Sequence, residues 1–322
     1  MSVSITLCTY NGEKFIREQI ESYLTQTVLP DEIIVCDDGS SDNTLAIIRK
    51  YAEANQGIQW HLIQNEITLG TSRNFEKAIS LSSGDFIFFS DQDDIWIKEK
   101  VEQTITFFDK NPDCEASFSN ATLIDDNNQE LRETLLDLTF FQSAERKNYK
   151  KDVLLYWSIL MGNVMTGATM AIRRTALRSI LPFQLNLGRN LWYDGWIGFC
   201  LMATDRVGYI DQPLTKYRIH AGQQVGVVMR KDSFEQYIMR GEYREELMKE
   251  YFQRYLFAFS VIQNLKKVVT IPSHIEDRII KEYLAQKKKY FESQSFIEKK
   301  LRLLKWHIQG ANYISLRDLM TL

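Results

Sequence analysis

Cysteine is scarce in this chain. The four, Cys8, Cys36, Cys114 and Cys200, lie far apart and form no Cys-x-x-Cys pair. That pattern excludes a zinc cluster and a secreted disulfide framework. Five Pro and 15 Gly in 322 residues exclude collagen-like and Pro/Gly-rich disordered chains. Neither sign of charge dominates: the formal net charge is −3, which does not suit a whole-molecule nucleic-acid binder. The N-terminus has no basic lead-in and only a short apolar run, so no signal peptide is read there and a cytoplasmic location is expected. The one charge-free stretch of membrane-span length, residues 153–172, is interrupted by Gly162, Asn163 and Gly167. A buried helix followed by a buried strand is expected there.

What is present is ordinary globular composition, 44% hydrophobic and 25% charged, with a generous 12% of aromatics. The length suggests about two domains. Through the first third, strand and helix patterns alternate. Apolar runs at 3–8, 33–36, 59–64 and 86–90 read as strands. Periodic segments after Asn11 (a candidate cap), around Leu45–Ile48–Ala52, and over 72–82 read as helices. Such alternation predicts an α/β fold with a mostly parallel sheet flanked by helices. In these sheets ligands bind beyond the carboxyl ends of the strands. Three predicted strand ends carry conspicuous polar residues: Thr9-Tyr10-Asn11, Asp37-Asp38-Gly39-Ser40, and Asp91-Gln92-Asp93-Asp94. The topology brings all three to one sheet edge.

Asp91 and Asp93 are two apart on an extended segment and point the same way. Paired carboxylates form a hard oxygen site suited to Mg²⁺ or Mn²⁺. A solvated loop starting the next helix explains the same acids equally well. The carboxylates at 37–38 can accept hydrogen bonds from a base or a ribose hydroxyl. They also suit a turn in which Ser41 or Asp42 caps the following helix. No G-x-G-x-x-G or G-x-x-x-x-G-K-[ST] phosphate cradle occurs.

In this order and spacing, the segments Cys8-Thr9-Tyr10-Asn11, 37–42, Gly70 with Arg73-Asn74, and 91–96 resemble the family-2 glycosyltransferases of the GT-A fold. The wording from Ser90 to Trp96 and the segment 217–226 look like the rhamnosyltransferase-like branch. The resemblance spans roughly residues 2–225. It implies a nucleotide-sugar-binding half at 1–115, an acceptor-binding half at 116–228, and a C-terminal helical region at 229–322. It implies donor-binding roles for Thr9, Tyr10, Asn11, Asp37, Asp38, Gly70, Arg73, Asn74 and Gln92. It implies a divalent metal, Mg²⁺ or Mn²⁺, on Asp91, Asp93 and His220, and a general base at Asp194. Tyr193 stands where relatives commonly carry Glu, and Cys8 where many carry Pro. The implied activity is inverting transfer of a sugar, rhamnose by branch wording, from a nucleoside diphosphate to a glycan or lipid-linked acceptor in cell-surface polysaccharide synthesis.

Trp192 and Trp196 flank Asp194, either as a sugar platform or as core at i, i+4. Gly167 lines the acceptor pocket or belongs to a tight buried strand. His220 is a metal or phosphate contact or a structural hydrogen-bonder. Between 266 and 305 Lys and Arg outnumber Asp and Glu more than twofold, interleaved with Phe291, Phe296, Leu301 and Trp306. That fits a helix lying peripherally on the inner face of the plasma membrane, or a solvated face packed on the catalytic part. Two other activities compete. An Asp-x-Asp phosphatase-like hydrolase usually carries its pair after the first strand. A catalytically inactive nucleotide-binding module would not need candidates for metal, base and phosphate together.

Overall fold

The computed structural model describes residues 1–139, 141, 151–185, 191–223 and 244–292. Its chain divides into two compact units, Met1–Ser158 with Gly162–Met229, and Ile159–Met161 with Arg230–Leu322. Of the basic, aromatic stretch 266–305, residues 293–305 lie outside the described residues. Among the described residues no helix is long and apolar enough to cross a membrane.

The first unit is built on β1 (Val3–Thr9), β2 (Glu32–Asp37), β3 (Gln59–Gln64) and β4 (Phe86–Ser90). Helices α1 (Ile16–Leu24), α2 (Thr44–Ala54) and α3 (Thr71–Leu81) connect them. All pairings among these four strands are parallel. β1, β2 and β4 are buried throughout, and their continuous apolar runs follow from that. Then come β5 (Ile95–Trp96), α4 (Lys100–Lys110), β6 (Ala116–Ile124), β7 (Glu130–Thr134), β8 (Met170–Arg173) and β9 (Val207–Arg218). The sheet order is β3-β2-β1-β4-β8-β6-β9-β5, with β7 on β6. Antiparallel pairs enter only beyond β4, at β8 and at the outer strands β5 and β7. The result is the expected mostly parallel sheet with helical cover.

One core joins Ile5 and Leu7 of β1, Ile16 and Ile20 of α1, Ile33 and Val35 of β2, Phe88 of β4, and Phe108 of α4. Each fully buried side chain of this size contributes about 1.5–3 kcal/mol. The polar strand ends are therefore mounted on a rigid block. The uncharged stretch splits as expected into a helix, Lys151–Met161, and β8. Gly167–Thr169, however, forms a 3-10 turn leading into β8 rather than strand. In the second unit the helices Arg244–Leu265 and Ser273–Glu292 meet through Phe259 and Tyr283, whose rings stack at 4.7 Å.

Candidate active site

A cavity of about 700 Å³ opens at the carboxyl edge of β1, β2 and β4. Thr9, Tyr10, Asn11, Asp38, Asn74, Asp91, Gln92, Asp93, Gly167, Trp192, Asp194 and His220 all line it, out of seven segments distant in sequence. Asp37, Gly70, Arg73 and Trp196 do not.

The β2 end is self-contained. Asp37, fully buried, accepts from Thr9 Oγ1 at 2.8 Å and from the N–H groups of Gly39 and Ser40 at 3.2 and 2.8 Å. It holds its own turn, which leaves it little to offer a nucleotide. Asp38 accepts from Asn65 Nδ2 and Leu69 N through Oδ1, at 2.8 and 2.7 Å, and from Gly70 N through Oδ2 at 2.8 Å. It reaches the cavity while pinning the loop before α3. Gly70 starts that helix at φ +79°, a conformation that glycine adopts without strain. Of the alternatives Ser41 and Asp42, it is Asp42 that bonds the start of α2, and Asn11 does not cap α1. Asp42 Oδ1 accepts from Thr44 N at 3.0 Å, and α2 starts after Asn43. Asn11 Oδ1 accepts from Ser41 N at 2.8 Å, and Phe15 occupies the start of α1.

Arg73 donates from Nη1 to Glu76 and, at 3.1 Å, to the Phe183 carbonyl, and it does not line the cavity. Asn74 Nδ2 donates to the Cys36 carbonyl at 2.7 Å and thereby ties α3 to β2. Gln92 clasps the backbone of Tyr10, accepting from its N–H at 2.8 Å and donating to its carbonyl at 3.0 Å. Tyr10 itself is 45% exposed, which leaves its ring face open for stacking on a base.

The β4 end is different. Among the described residues nothing donates to the Asp91 carboxylate. Burial, then the charges of Asp93 and Asp194, push its pKa up to about 7. Asp94 accepts from Arg218 N at 2.9 Å through Oδ1, while its buried Oδ2 has no partner. Burial, Asp93 and Asp91 raise its pKa as well. Beneath this loop, buried Lys100 donates to the Ala168 carbonyl at 2.7 Å and Thr215 Oγ1 at 2.8 Å. Burial lowers the Lys100 pKa to about 7, against the pull of Asp94 and Asp91.

Arg218 is 0% exposed, so every guanidinium N–H needs a partner. Nε donates to the Asp93 carbonyl at 2.7 Å, Nη1 to Asn128 Oδ1 at 2.6 Å, and Nη2 to Glu18 Oε2 at 2.6 Å. Its plane rests 4.4 Å from the Phe15 ring centroid. Two residues on, His220 Nε2 lies 2.9 Å from Asp93 Oδ2. Among the described residues no three His, Cys, Asp or Glu side chains are grouped tightly enough to hold an ion as they stand.

Asp194 sits in the first turn of the helix Tyr193–Met202, where backbone N–H groups favour an anion. Its oxygens accept from Gly195 N at 2.7 Å and Gly167 N at 3.3 Å. Burial outweighs these bonds and raises its pKa to about 6, near the working range of a general base. Tyr193 stacks on Phe75 at 4.1 Å, and a Cβ at Gly167 would collide with its hydroxyl. Trp192 lines the cavity; Trp196 is buried and donates through Nε1 to the Ile180 carbonyl at 2.7 Å, which is the core alternative.

Several lining residues were not singled out in the sequence. Lys14 and Asp126, paired at 2.5 Å on the rim, sit in loops with no motif. Tyr217 and Phe75 read as ordinary strand and helix apolar positions. Lys14, three residues past Asn11, was the one signal available, a cation beside a polar strand end.

The model of the glycosyl transferase family 2 matches residues 4–181. The dTDP-rhamnosyl transferase RfbG of Shigella flexneri is 29% identical over 230 residues, 68% of this chain and 73% of that protein. Among solved structures, S. aureus TarS 1–349 in complex with UDP-GlcNAc superposes with TM-score 0.58 at 18% identity, over 99% of this chain and 83% of that one. The mannosyltransferase PcManGT of Pyrobaculum calidifontis, in complex with GDP-Man and Mn²⁺, gives 0.52 at 14% identity, over 98% and 81%. These two likenesses show the GT-A fold.

Proposed function

The chain belongs to glycosyl transferase family 2, and from that premise we propose an inverting, metal-assisted transfer of a sugar to a glycan or lipid-linked hydroxyl in polysaccharide synthesis. The protein is a nucleotide-sugar-dependent glycosyltransferase. The observation carrying the finer reading is that Asp91, Asp93 and Asp194 share one cavity with the exposed ring of Tyr10.

Tyr10 stacks on the donor base, and Asp38 accepts from the base or the ribose. Thr9, Asn11, Asn74 and Gln92 shape that end through the backbone contacts described above. Asp37, Gly70 and Arg73 support the donor end indirectly, by holding turns. Asp194 takes the proton from the acceptor hydroxyl as the new glycosidic bond forms and the bond to the departing diphosphate breaks. A single base opposite the leaving group favours direct displacement with inversion. Gly167 and Trp192 border the acceptor side. The likeness to a dTDP-rhamnosyl transferase makes dTDP-rhamnose the first donor to test.

The acids at the β4 end fit a divalent cation. Among the described residues Asp91 has no hydrogen-bond donor on its carboxylate, and burial and then the charges of Asp93 and Asp194 raise its pKa; a hard cation relieves both. Asp91 and Asp93 would hold Mg²⁺ or Mn²⁺, with His220 beside them; PcManGT was solved with Mn²⁺. When bound, such an ion neutralises charge on the nucleoside diphosphate as it leaves.

The test is a panel of nucleotide sugars, dTDP-rhamnose and UDP-sugars included, with Mn²⁺ or Mg²⁺, scored by thermal shift and slow donor hydrolysis. Stabilisation by at least one donor in a metal-dependent way is expected. A chain stabilised by none would overturn the reading.

A further inference from the structure

Tyr193 keeps a hydroxyl on the cavity wall that the protein itself does not use. The residue is 4% exposed, and among the described residues that hydroxyl makes no hydrogen bond. Its oxygen is not sealed in protein either, since the side chain lines the cavity. The residue is held without it. Its backbone N donates to Ser72 Oγ at 3.1 Å, and its ring stacks on Phe75 at 4.1 Å and on Phe89 at 5.8 Å. Gly167 abuts the phenol so closely that no Cβ fits there. A buried hydroxyl aimed by this much packing is costly to keep unless something in the cavity pairs with it.

What it pairs with follows from where it stands. Burial, then the charges of Asp91 and Asp194, raise the phenol's pKa, so it stays a neutral O–H with both carboxylates near enough to act on it. On the transfer reading above, on which this inference rests, Asp91 marks the departing diphosphate and Asp194 the attacking oxygen. In a direct displacement the sugar lies between the two, because its anomeric carbon is bonded to one oxygen while the other approaches. Ionised carboxylates only accept hydrogen bonds. A sugar that gives its hydroxyl protons to them still carries oxygen lone pairs, and a neutral O–H can meet one. We propose that the Tyr193 hydroxyl donates a hydrogen bond to an oxygen of the sugar being transferred, and that Gly167 lacks a side chain because one would push that hydroxyl off the sugar. Tyr193 is then a specificity residue for the donor's sugar, whereas Tyr10 and Asp38 serve its nucleotide.

The test compares each nucleotide sugar with its bare nucleotide on the full chain. dTDP-rhamnose, UDP-glucose and UDP-GlcNAc are titrated with Mn²⁺ into wild type and Tyr193→Phe, with dTDP and UDP as baselines. Tyr193→Phe removes only the oxygen and keeps the ring stack, so it should share the wild-type melting temperature and bind dTDP and UDP equally well. Its affinity for the sugar nucleotide, relative to the bare nucleotide, should fall roughly 3–10-fold, the range of one neutral hydrogen bond. Slow donor hydrolysis, which needs no glycan acceptor, should fall with it. Gly167→Ala should lose the same relative affinity, and adding Tyr193→Phe to it should cost nothing further. A relative affinity that survives Tyr193→Phe overturns the sugar contact and leaves the transfer reading standing. An equal loss for sugar and bare nucleotide, or independent, additive losses in the double variant, also overturns the contact. A wild type that neither binds nor hydrolyses any of the three donors fails the transfer reading itself, and the contact with it.

Discussion

Two acidic strand ends flank β1 in this sheet, and they solve opposite problems. At the end of β2, Asp37, Asp38 and Asp42 receive backbone N–H groups and hydroxyls from their own turn and from the loop before α3. At the end of β4, Asp91 receives nothing among the described residues, and Asp94 is left with an unpartnered buried oxygen. The first group consumes its charge in building the loop. The second accumulates charge that the fold does not compensate, which is the condition for a ligand to bind there. Composition cannot separate the two: both are clusters of Asp after an apolar run.

Substitutions can break this contrast. The largest effect is expected at the catalytic end. Asp194→Asn should bind donor normally and lose transfer by at least roughly a hundredfold, the scale of general-base help. Transfer at near wild-type rate would remove Asp194 from the mechanism. Asp91→Asn should likewise abolish metal-dependent transfer while leaving the melting temperature unchanged or higher, since it relieves repulsion. Next comes Asp37→Ala, which orphans buried donors and should cost about 1–3 kcal/mol in urea unfolding. A stable, donor-blind Asp37→Ala protein would reverse the division drawn here.

Acidity offers a third probe, with opposite signs at the two ends. Asp91 and Asp194 have folded pKa values of about 7 and about 6, above the unfolded carboxylate value. In the metal-free chain they destabilise the fold above those values, and the penalty fades as pH falls through them. Asp42 is held below its ordinary value, against the cost of burial, by its bonds to Thr44 and Glu13. Its contribution is complete above the unfolded pKa and lost as pH falls through the depressed one. Melting temperature should therefore rise as pH falls from about 8 to about 4, the unfolded carboxylate value, and fall in stronger acid. The Asp91→Asn/Asp194→Asn double variant should flatten the upper limb. The smallest effect belongs to Arg73→Ala. An arginine half exposed and paired with Glu76 should change donor KM by less than roughly fivefold.

Much of this was legible beforehand where local pattern and burial agree. The strands at 59–64 and 86–90 appear with those limits, because each apolar run is bounded by polar or glycine punctuation. The meeting of Asp91 with Asp194 followed from the resemblance and from the rule about strand ends. What stayed hidden depends on partners far along the chain. Arg73 reads as a donor contact until its Nη1 is found on Glu76 and the Phe183 carbonyl, outside the cavity lining. Trp196 reads as a platform until the Ile180 carbonyl is found on its indole. Arg218 carries no signal of its own within the segment 217–226, and only burial shows it to be a clamp on Asp93.

That clamp also has a history in time. Arg218 lies 124 residues beyond Asp94, so at about 5–20 residues per second a ribosome makes the acidic turn roughly 6–25 s before the arginine that fastens it. During that interval β5 also lacks β9, the strand it pairs with. A nascent chain therefore emerges with its donor half largely threaded but its acid loop unsecured, and a premature stop between 97 and 217 would release a protein that keeps β1 to β4 and loses the fastening.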